Sequence, residues 1–135
     1  MREILFRGKD IAGKWHYGVP LVFSEDYVCM SAPHTYNKKV ETNTVGQYTG
    51  LTDKNGKKIF EGDVVKYKNT DGAVYKGVTL IVIGKVVYNE KTTSFAVYGK
   101  DEIGAKYCDY FPIKNIEVIG NIHDNPELLK EGGEG

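Results

Sequence analysis

Apolar and polar residues alternate along several short stretches of the chain, with the period of a half-buried β-strand. The alternation is clear at residues 64–69, where Val65 and Tyr67 share one face and Lys66 and Lys68 share the other. Turns rich in glycine and asparagine separate these stretches, and no helical pattern of about 10 to 15 residues occurs. We therefore predict an all-β fold, a small barrel or sandwich of short antiparallel strands.

Further strands are predicted where apolar runs lie between turn residues. Residues 4–18 have the pattern of an N-terminal hairpin, whereas the polar residues 31–44 are predicted to form a loop. Residues 78–83 form a β-branched and aliphatic run, which predicts a central strand buried on both faces. Gly84 then marks a bulge or kink before the strand pattern resumes.

The strongest local signal is a hairpin at residues 49–60. Asn55 and Gly56 lie between flanks that can pair, and both residue types tolerate the positive φ of a two-residue type I′ turn. The stretch from Asp53 to Gly56 superficially resembles a calcium loop, but the series of carboxylates and the final glutamate are absent. A hairpin explains these residues better.

A helix signal appears near the C-terminus. Asp124 or Asn125 suits the N-cap, Pro126 suits the first helical position, and one turn of helix can follow. We predict one short C-terminal helix.

Size and composition fit one globular domain. The chain has 135 residues, 41% of them apolar and 27% charged, and its 16 glycines and 10 tyrosines favour turns and pleated strands. We predict a single domain over residues 1–129, with a hairpin-and-loop subregion at 1–44 and a barrel-like subregion at 45–129. Residues 130–135 are predicted to be a flexible tail.

The charge balance and the cysteine count limit the partners and the compartment. There are 18 basic and 18 acidic residues, so no overall field attracts a nucleic acid or an anionic membrane. No apolar run approaches membrane-spanning length, and the N-terminus lacks a signal-peptide core. Cys29 and Cys108 are too few for a disulfide framework, so we predict buried thiols and a reducing cytosol.

Catalytic and metal-binding patterns are not apparent in the sequence. The three histidines, His16, His34 and His123, lie in separate regions without a positioned partner. Cys29 and His34 are close enough in sequence to share a metal, but a second ligand pair is missing. We predict no catalytic residue, no metal site and no cofactor.

One basic patch suggests a binding function. Lysines surround the hairpin tip and continue into the next strand, where tyrosines offer rings on which single-stranded bases can stack. The residues of this patch are Lys54, Lys57, Lys58, Lys66, Lys68 and Tyr67, with Tyr75 and Tyr88 as further stacking candidates. The alternative is a solvated hairpin tip with tyrosines that only pack in the sheet, and the zero net charge favours it.

Three stretches together resemble the YopX family of bacteriophage and prophage proteins. They are ILFRGKDIAGKWHYG at 4–18, VGQYTGLTDKNGKKIFEGD at 45–63 and EVIGNIHDNPELL at 117–129. The resemblance implies a small all-β protein without an established biochemical activity. From Phe60 onwards, the chain also resembles the first strands of an SH3-like barrel.

The resemblance and the absence of catalytic patterns lead to one functional expectation. We expect a non-enzymatic phage or prophage accessory protein in the cytoplasm of the bacterial host, acting by protein binding or self-assembly. A homo-oligomer is expected, with a host or phage protein as a further partner, because tyrosine-rich strands and their edges suit interfaces. The alternative is nucleic-acid binding through the basic hairpin.

Overall fold

A computed structural model describes residues 3–31, 37–69 and 79–129 of the chain. Antiparallel β-strands dominate these ranges, and no α-helix occurs within them, so the predicted all-β class is confirmed. The chain forms two compact units that divide after Gly50, whereas the sequence predicted a subregion boundary after Thr44. No helix in the described part of the chain is long and apolar enough to cross a membrane. The predicted tail at 130–135 lies outside the described residues.

The first unit is built on one antiparallel sheet. Its elements are β1 (Phe6–Lys9), β2 (Trp15–Phe23), β3 (Tyr27–Ser31), β4 (Lys38–Glu41), a 3₁₀ turn (Thr42–Thr44) and β5 (Gly46–Thr52), which ends in the second unit. Within the first unit the strand order is β4-β3-β2-β1-β5. Val28, Met30 and Val40 are fully buried, and Phe6 and Val45 pack against them.

Strand β4 corrects the predicted loop at residues 31–44. Its Val40 lies opposite Val28 of β3 and is fully buried. Val40 is the one apolar residue among the four residues of β4. A single apolar position cannot display an alternating pattern, so the sequence signal for this strand was too short to recognise.

The second unit contains a five-stranded antiparallel sheet. Its elements are β6 (Lys58–Phe60), β7 (Asp63–Asn69), β8 (Leu80–Asn89), β9 (Ser94–Lys100), β10 (Lys106–Tyr110), β11 (Glu117–Asn121) and a 3₁₀ turn (Pro126–Leu129). The five strands of the sheet have the order β10-β9-β8-β7-β11. Its core consists of Ile59, Val65, Tyr67, Val82, Val86, Val97, Ile116 and Val118. The predicted C-terminal helix is only the four-residue 3₁₀ turn.

Strand β8 differs from its prediction in two ways. It is buried on one face, where Val82 and Val86 point, while Ile81 on the other face is partly exposed. It also passes through Gly84 without a bulge, because its register with β7 and β9 is continuous there. Gly84 lies opposite Gly99, and a Cβ at Gly84 would lie 2.5 Å from the carbonyl oxygen of Tyr98. Glycine is therefore needed here for a close approach of two strands.

The predicted hairpin at residues 49–60 is present, but its turn is longer than two residues. The N–H of Asp53 donates to the carbonyl of Lys57 at 2.7 Å, and the N–H of Gly56 donates to the carbonyl of Asp53 at 3.0 Å. Gly56 has a φ of +84°, whereas Asn55 has a negative φ. The loop is therefore a type I turn followed by a left-handed glycine, and the two-residue type I′ prediction was wrong.

Within the described residues the same turn occurs three times, and an aspartate organises each copy. In Asp10, Asp53 and Asp101, the Oδ1 atom accepts two N–H groups of the aspartate's own turn, at distances from 2.8 to 3.0 Å. The glycine three positions later has a positive φ in each case. The sequence Asp-x-x-Gly thus specifies a closed hairpin turn in this chain.

The second carboxylate oxygen of each aspartate reaches a different group. Asp10 Oδ2 lies 2.7 Å from His16 Nε2, Asp53 Oδ2 accepts the N–H of Val118 at 2.9 Å, and Asp101 Oδ2 accepts the hydroxyl of Tyr107 at 2.7 Å. In Asp53, burial raises the pKa, but the three backbone N–H donors outweigh it and hold the pKa below its ordinary value. Each carboxylate therefore joins a turn to a second element.

Replacement of Asp53 by asparagine tests this arrangement. The asparagine amide cannot accept the N–H of Val118, so Asp53→Asn should lower the free energy of unfolding by about 1–3 kcal/mol near pH 7. Because folding lowers the pKa of Asp53, its carboxylate stabilises the protein fully at pH values above the pKa of the unfolded state, about 3.9. That stability is lost as the pH falls through the folded pKa, so the deficit should shrink in acid.

Urea unfolding of both proteins between pH 7 and pH 3 measures the deficit. Glu90→Gln, a change at an exposed turn residue, is the matched control and should leave stability unchanged. An Asp53→Asn protein as stable as the wild type at pH 7 would contradict the assigned role.

Candidate binding surface

The register of the second sheet places lysines from several strands in one row. Lys66 of β7 lies opposite Ile83 of β8, Ile83 lies opposite Lys100 of β9, and Lys100 lies opposite Lys106 of β10. Residues directly opposite one another on antiparallel strands share a face. Alternation along the strands puts this row on the side away from core residues such as Val82.

A second row lies beside the first. Lys85 of β8 lies opposite Tyr98 of β9, and Tyr98 lies opposite Cys108 of β10. All three residues are exposed, and Tyr98 is 43% exposed to solvent. We name the surface formed by Lys66, Ile83, Lys85, Tyr98, Lys100, Lys106 and Cys108 the lysine face.

The lysine face forms the floor of a groove of about 860 Å³. The side chains of Ile81 and Ile83 are the aliphatic part of the groove floor, and Leu128 and Leu129 of the C-terminal 3₁₀ turn form an apolar wall. The volume is in the range of sites that hold a small molecule or a short segment of an extended chain.

The acidic residues of the groove are already engaged by hydrogen bonds. Asp101 accepts the Tyr107 hydroxyl and two N–H groups of its own turn. Burial raises the pKa of Asp101, but these donors outweigh burial, and the pKa stays below its ordinary value. Glu102 Oε1 accepts the N–H of Ile81 at 2.9 Å. Both carboxylates are thereby held in fixed positions.

The lysines of the face have few acidic partners. Within the ranges that the structure describes, Lys85, Lys100 and Lys106 form no ion pair. Lys66 Nζ lies 3.9 Å from Glu117 Oε1, a long contact for an ion pair. Partly exposed pairs of this kind contribute little stability. The lysine face therefore carries several ammonium groups that an anion can reach.

The predicted basic hairpin is only partly connected with this surface. Lys54 Nζ lies 3.6 Å from Glu117 Oε1, the carboxylate that Lys66 also approaches. Lys57 and Lys58 are exposed on the hairpin, and Lys68 is exposed on β7. Lys66 is the one residue of the predicted patch that lines the groove.

Tyr67 is poorly placed for the predicted stacking. It is only 5% exposed, belongs to the core, and donates its hydroxyl hydrogen bond to Asp109. Burial and the neighbouring Asp109 carboxylate raise the pKa of Tyr67 well above its ordinary value. Tyr88, at 42% exposure, packs edge-on against Phe95, and Tyr75 lies outside the described residues. Tyr98, which is 43% exposed, was not among the stacking candidates predicted from the sequence.

Of the three histidines, the two that the structure describes lie in different units. His16 is paired with Asp10 in the first unit, His123 lies in the second unit, and His34 is outside the described residues. Neither His16 nor Asp109 lines the groove. Among the residues that the structure describes, no group of three or more His, Cys, Asp or Glu side chains is arranged to hold a metal ion.

The two thiols differ from each other. Cys29 in β3 is partly buried, whereas Cys108 in β10 is exposed on the lysine face. The prediction that Cys108 is buried was therefore wrong. Its apolar neighbours in sequence suggested a core position, but the register places it opposite the exposed Tyr98.

A second exposed surface lies in the first unit. Val19, Leu21, Val22 and Phe23 of β2 are 44%, 54%, 63% and 67% exposed, and we name them the apolar strip. β1 pairs with β2 up to Gly18, and β3 pairs with β2 from Val19 to Phe23. In the described part of the chain, this half of β2 therefore has a paired neighbour on one side.

Comparisons with known proteins agree with the fold. Residues 6–130 match the family described as YopX protein. The crystal structure of protein EF1440 from Enterococcus faecalis is similar, with a TM-score of 0.53 and 22% sequence identity over 96% of this chain and 99% of that chain. No curated protein matches the chain. At this identity the structural likeness concerns the fold alone.

The exposure of the two thiols gives a direct test of the register around the groove. Cys108 should react with a water-soluble maleimide in the native protein faster than Cys29, because the thiol on the lysine face is open to solvent. Mass spectrometry of peptides after short labelling times measures both rates, with Cys108→Ser as the control. Faster labelling of Cys29 would place β10 in another register.

Proposed function

This chain belongs to the YopX protein family, and from that membership we propose a non-enzymatic accessory protein of a bacteriophage or prophage. In this proposal it acts in the bacterial cytoplasm by assembling with copies of itself and by binding a host or phage protein. The observation that carries the proposal is the apolar strip on β2.

The apolar strip supports self-association by its chemistry. Four large apolar residues are exposed within five positions of one strand. The register with β3 places Val22 and Phe23 on opposite faces of the strand, so the strip exposes apolar side chains on both faces of this strand. Burial of exposed apolar side chains against a partner is favourable.

The strand that carries the strip supports self-association by its geometry. The half of β2 from Val19 to Phe23 pairs with β3 and has a side that β1 does not reach. An unpaired strand side can pair with another strand. Antiparallel pairing with the same segment of a second copy gives a two-fold interface, in which both copies use one surface.

The contents of the groove in the second unit favour binding over catalysis. Its carboxylates are held by hydrogen bonds, and its remaining polar side chains are mainly lysines that project from a sheet. General acid–base or nucleophilic catalysis needs a reactive group beside a positioned base.

We further propose an SH3-like barrel after Phe60. The strand order, in which β11 returns beside β7, supports it.

Polar replacement in the strip tests the assembly. The double variant Val22→Ser with Phe23→Ser should weaken self-association by more than about tenfold, because two apolar side chains leave the interface. Sedimentation at two protein concentrations should find an oligomer in the wild type and a larger monomer fraction in the variant. Ile11→Ser is the matched control, since Ile11 is 80% exposed but lies in a turn outside the strip.

Two results would count against this proposal. A wild-type protein that stays monomeric at both concentrations would exclude self-association under those conditions. Equal assembly of the wild type and the strip variant would exclude the apolar strip as the contact.

A further inference from the structure

We propose that the lysine face binds a single-stranded nucleic acid. This inference goes beyond assembly and protein binding, and it rests on a different surface from the apolar strip. It also differs from the basic-hairpin hypothesis, because the groove uses lysines that the sequence pattern did not bring together.

The first support is the arrangement of positive charge. Lys66, Lys85, Lys100 and Lys106 come from four successive strands, β7 to β10, and all line one groove. Neighbouring strands lie about 4.8 Å apart, so the four lysines cover a width of roughly 14 Å across the sheet. A phosphate backbone that crosses the strands would meet an ammonium group from each of them.

The second support is the lack of competition for these charges. Asp101 and Glu102, the acidic residues of the groove, already accept hydrogen bonds from Tyr107 and from backbone N–H groups. Three of the four lysines, Lys85, Lys100 and Lys106, have no carboxylate partner within the described residues. A polyanion can therefore replace water and counterions without first breaking a salt bridge to them.

The third support is an aromatic ring among the lysines. Tyr98 is 43% exposed and lies directly opposite Lys85, with Lys100 two positions further along the same face of β9. An exposed ring beside cations is the combination that holds single-stranded bases, which stack while their phosphates are neutralised. The aliphatic side chains of Ile81 and Ile83 offer further apolar contact to bases within the groove.

These features favour a nucleic acid over an acidic peptide. An acidic peptide would use the lysines but would gain little from the ring of Tyr98. The charge is also local, so the zero net charge of the chain does not oppose it. The groove rather than the hairpin tip is therefore the surface to test.

Fluorescence anisotropy with a labelled oligo-dT of about 20 nucleotides measures the binding. Lys85→Glu with Lys100→Glu should weaken binding more than about tenfold and should reduce the slope of log affinity against log salt by roughly 1.4, the value for two phosphate contacts. Lys57→Glu with Lys58→Glu changes the same number of charges on the hairpin. Because these lysines lie outside the groove and act only through the general field, this variant should weaken binding less than about threefold.

A second variant and a second readout separate base stacking from charge. Tyr98→Leu keeps the charge of the protein and should weaken oligo-dT binding about tenfold, but should not change binding of polyglutamate. In the wild type, bound oligo-dT should slow maleimide labelling of Cys108, which lies opposite Tyr98, with Cys29 as the internal reference. This protection needs no substitution, so it tests the site even where a variant fails to fold.

Four outcomes would overturn the proposal. They are no salt-sensitive binding of oligo-dT by the wild type, equal losses in the groove and hairpin variants, no protection of Cys108 at saturating oligo-dT, and polyglutamate binding as tight as that of oligo-dT. The last result would assign the groove to an acidic protein segment.

Discussion

Asp10, Asp53 and Asp101 each divide one carboxylate between two parts of the fold. One oxygen accepts the N–H groups that close the aspartate's own turn, and the other accepts a hydrogen bond from His16, Val118 or Tyr107. An asparagine reproduces the first set of bonds but loses the second, because its amide nitrogen is a donor. The turns and the elements they contact therefore depend on ionised aspartates.

Two of these aspartates support the sheet of the lysine face at its opposite edges, β10 and β11. Asp101 closes the turn between β9 and β10, which brings Lys100 and Lys106 opposite each other. Asp53 ties the hairpin before β6 to Val118 of β11, the strand that pairs with β7. Asp101 stays ionised, and its hydrogen bonds hold it in the turn. The groove is basic because its lining has four lysines, Lys66, Lys85, Lys100 and Lys106, against two carboxylates, Asp101 and Glu102.

The sequence predicted those features that depend on local pattern. Alternation at residues 64–69 placed Lys66 and Lys68 on the face opposite Val65 and Tyr67, and the hairpin before β6 was located correctly. The turn type was missed because Asn55-Gly56 was considered without Asp53, although the repeated Asp-x-x-Gly was visible. The lysine face was missed because its residues come from four strands, and pairing register is not a local property. In β8, moreover, both faces are aliphatic, so sequence alone could not show which one is open.

The shared carboxylates are tested most directly by following their ionisation in the folded protein. Carbon-13 NMR of the side-chain carboxyl groups, recorded as a function of pH, gives the pKa of each aspartate. The account predicts that Asp10, Asp53 and Asp101 all titrate below the ordinary aspartate value of about 3.9. Ordinary or raised pKa values at Asp53 and Asp101 would contradict it, because a carboxylate that accepts three or more hydrogen bonds cannot protonate as easily as one in water.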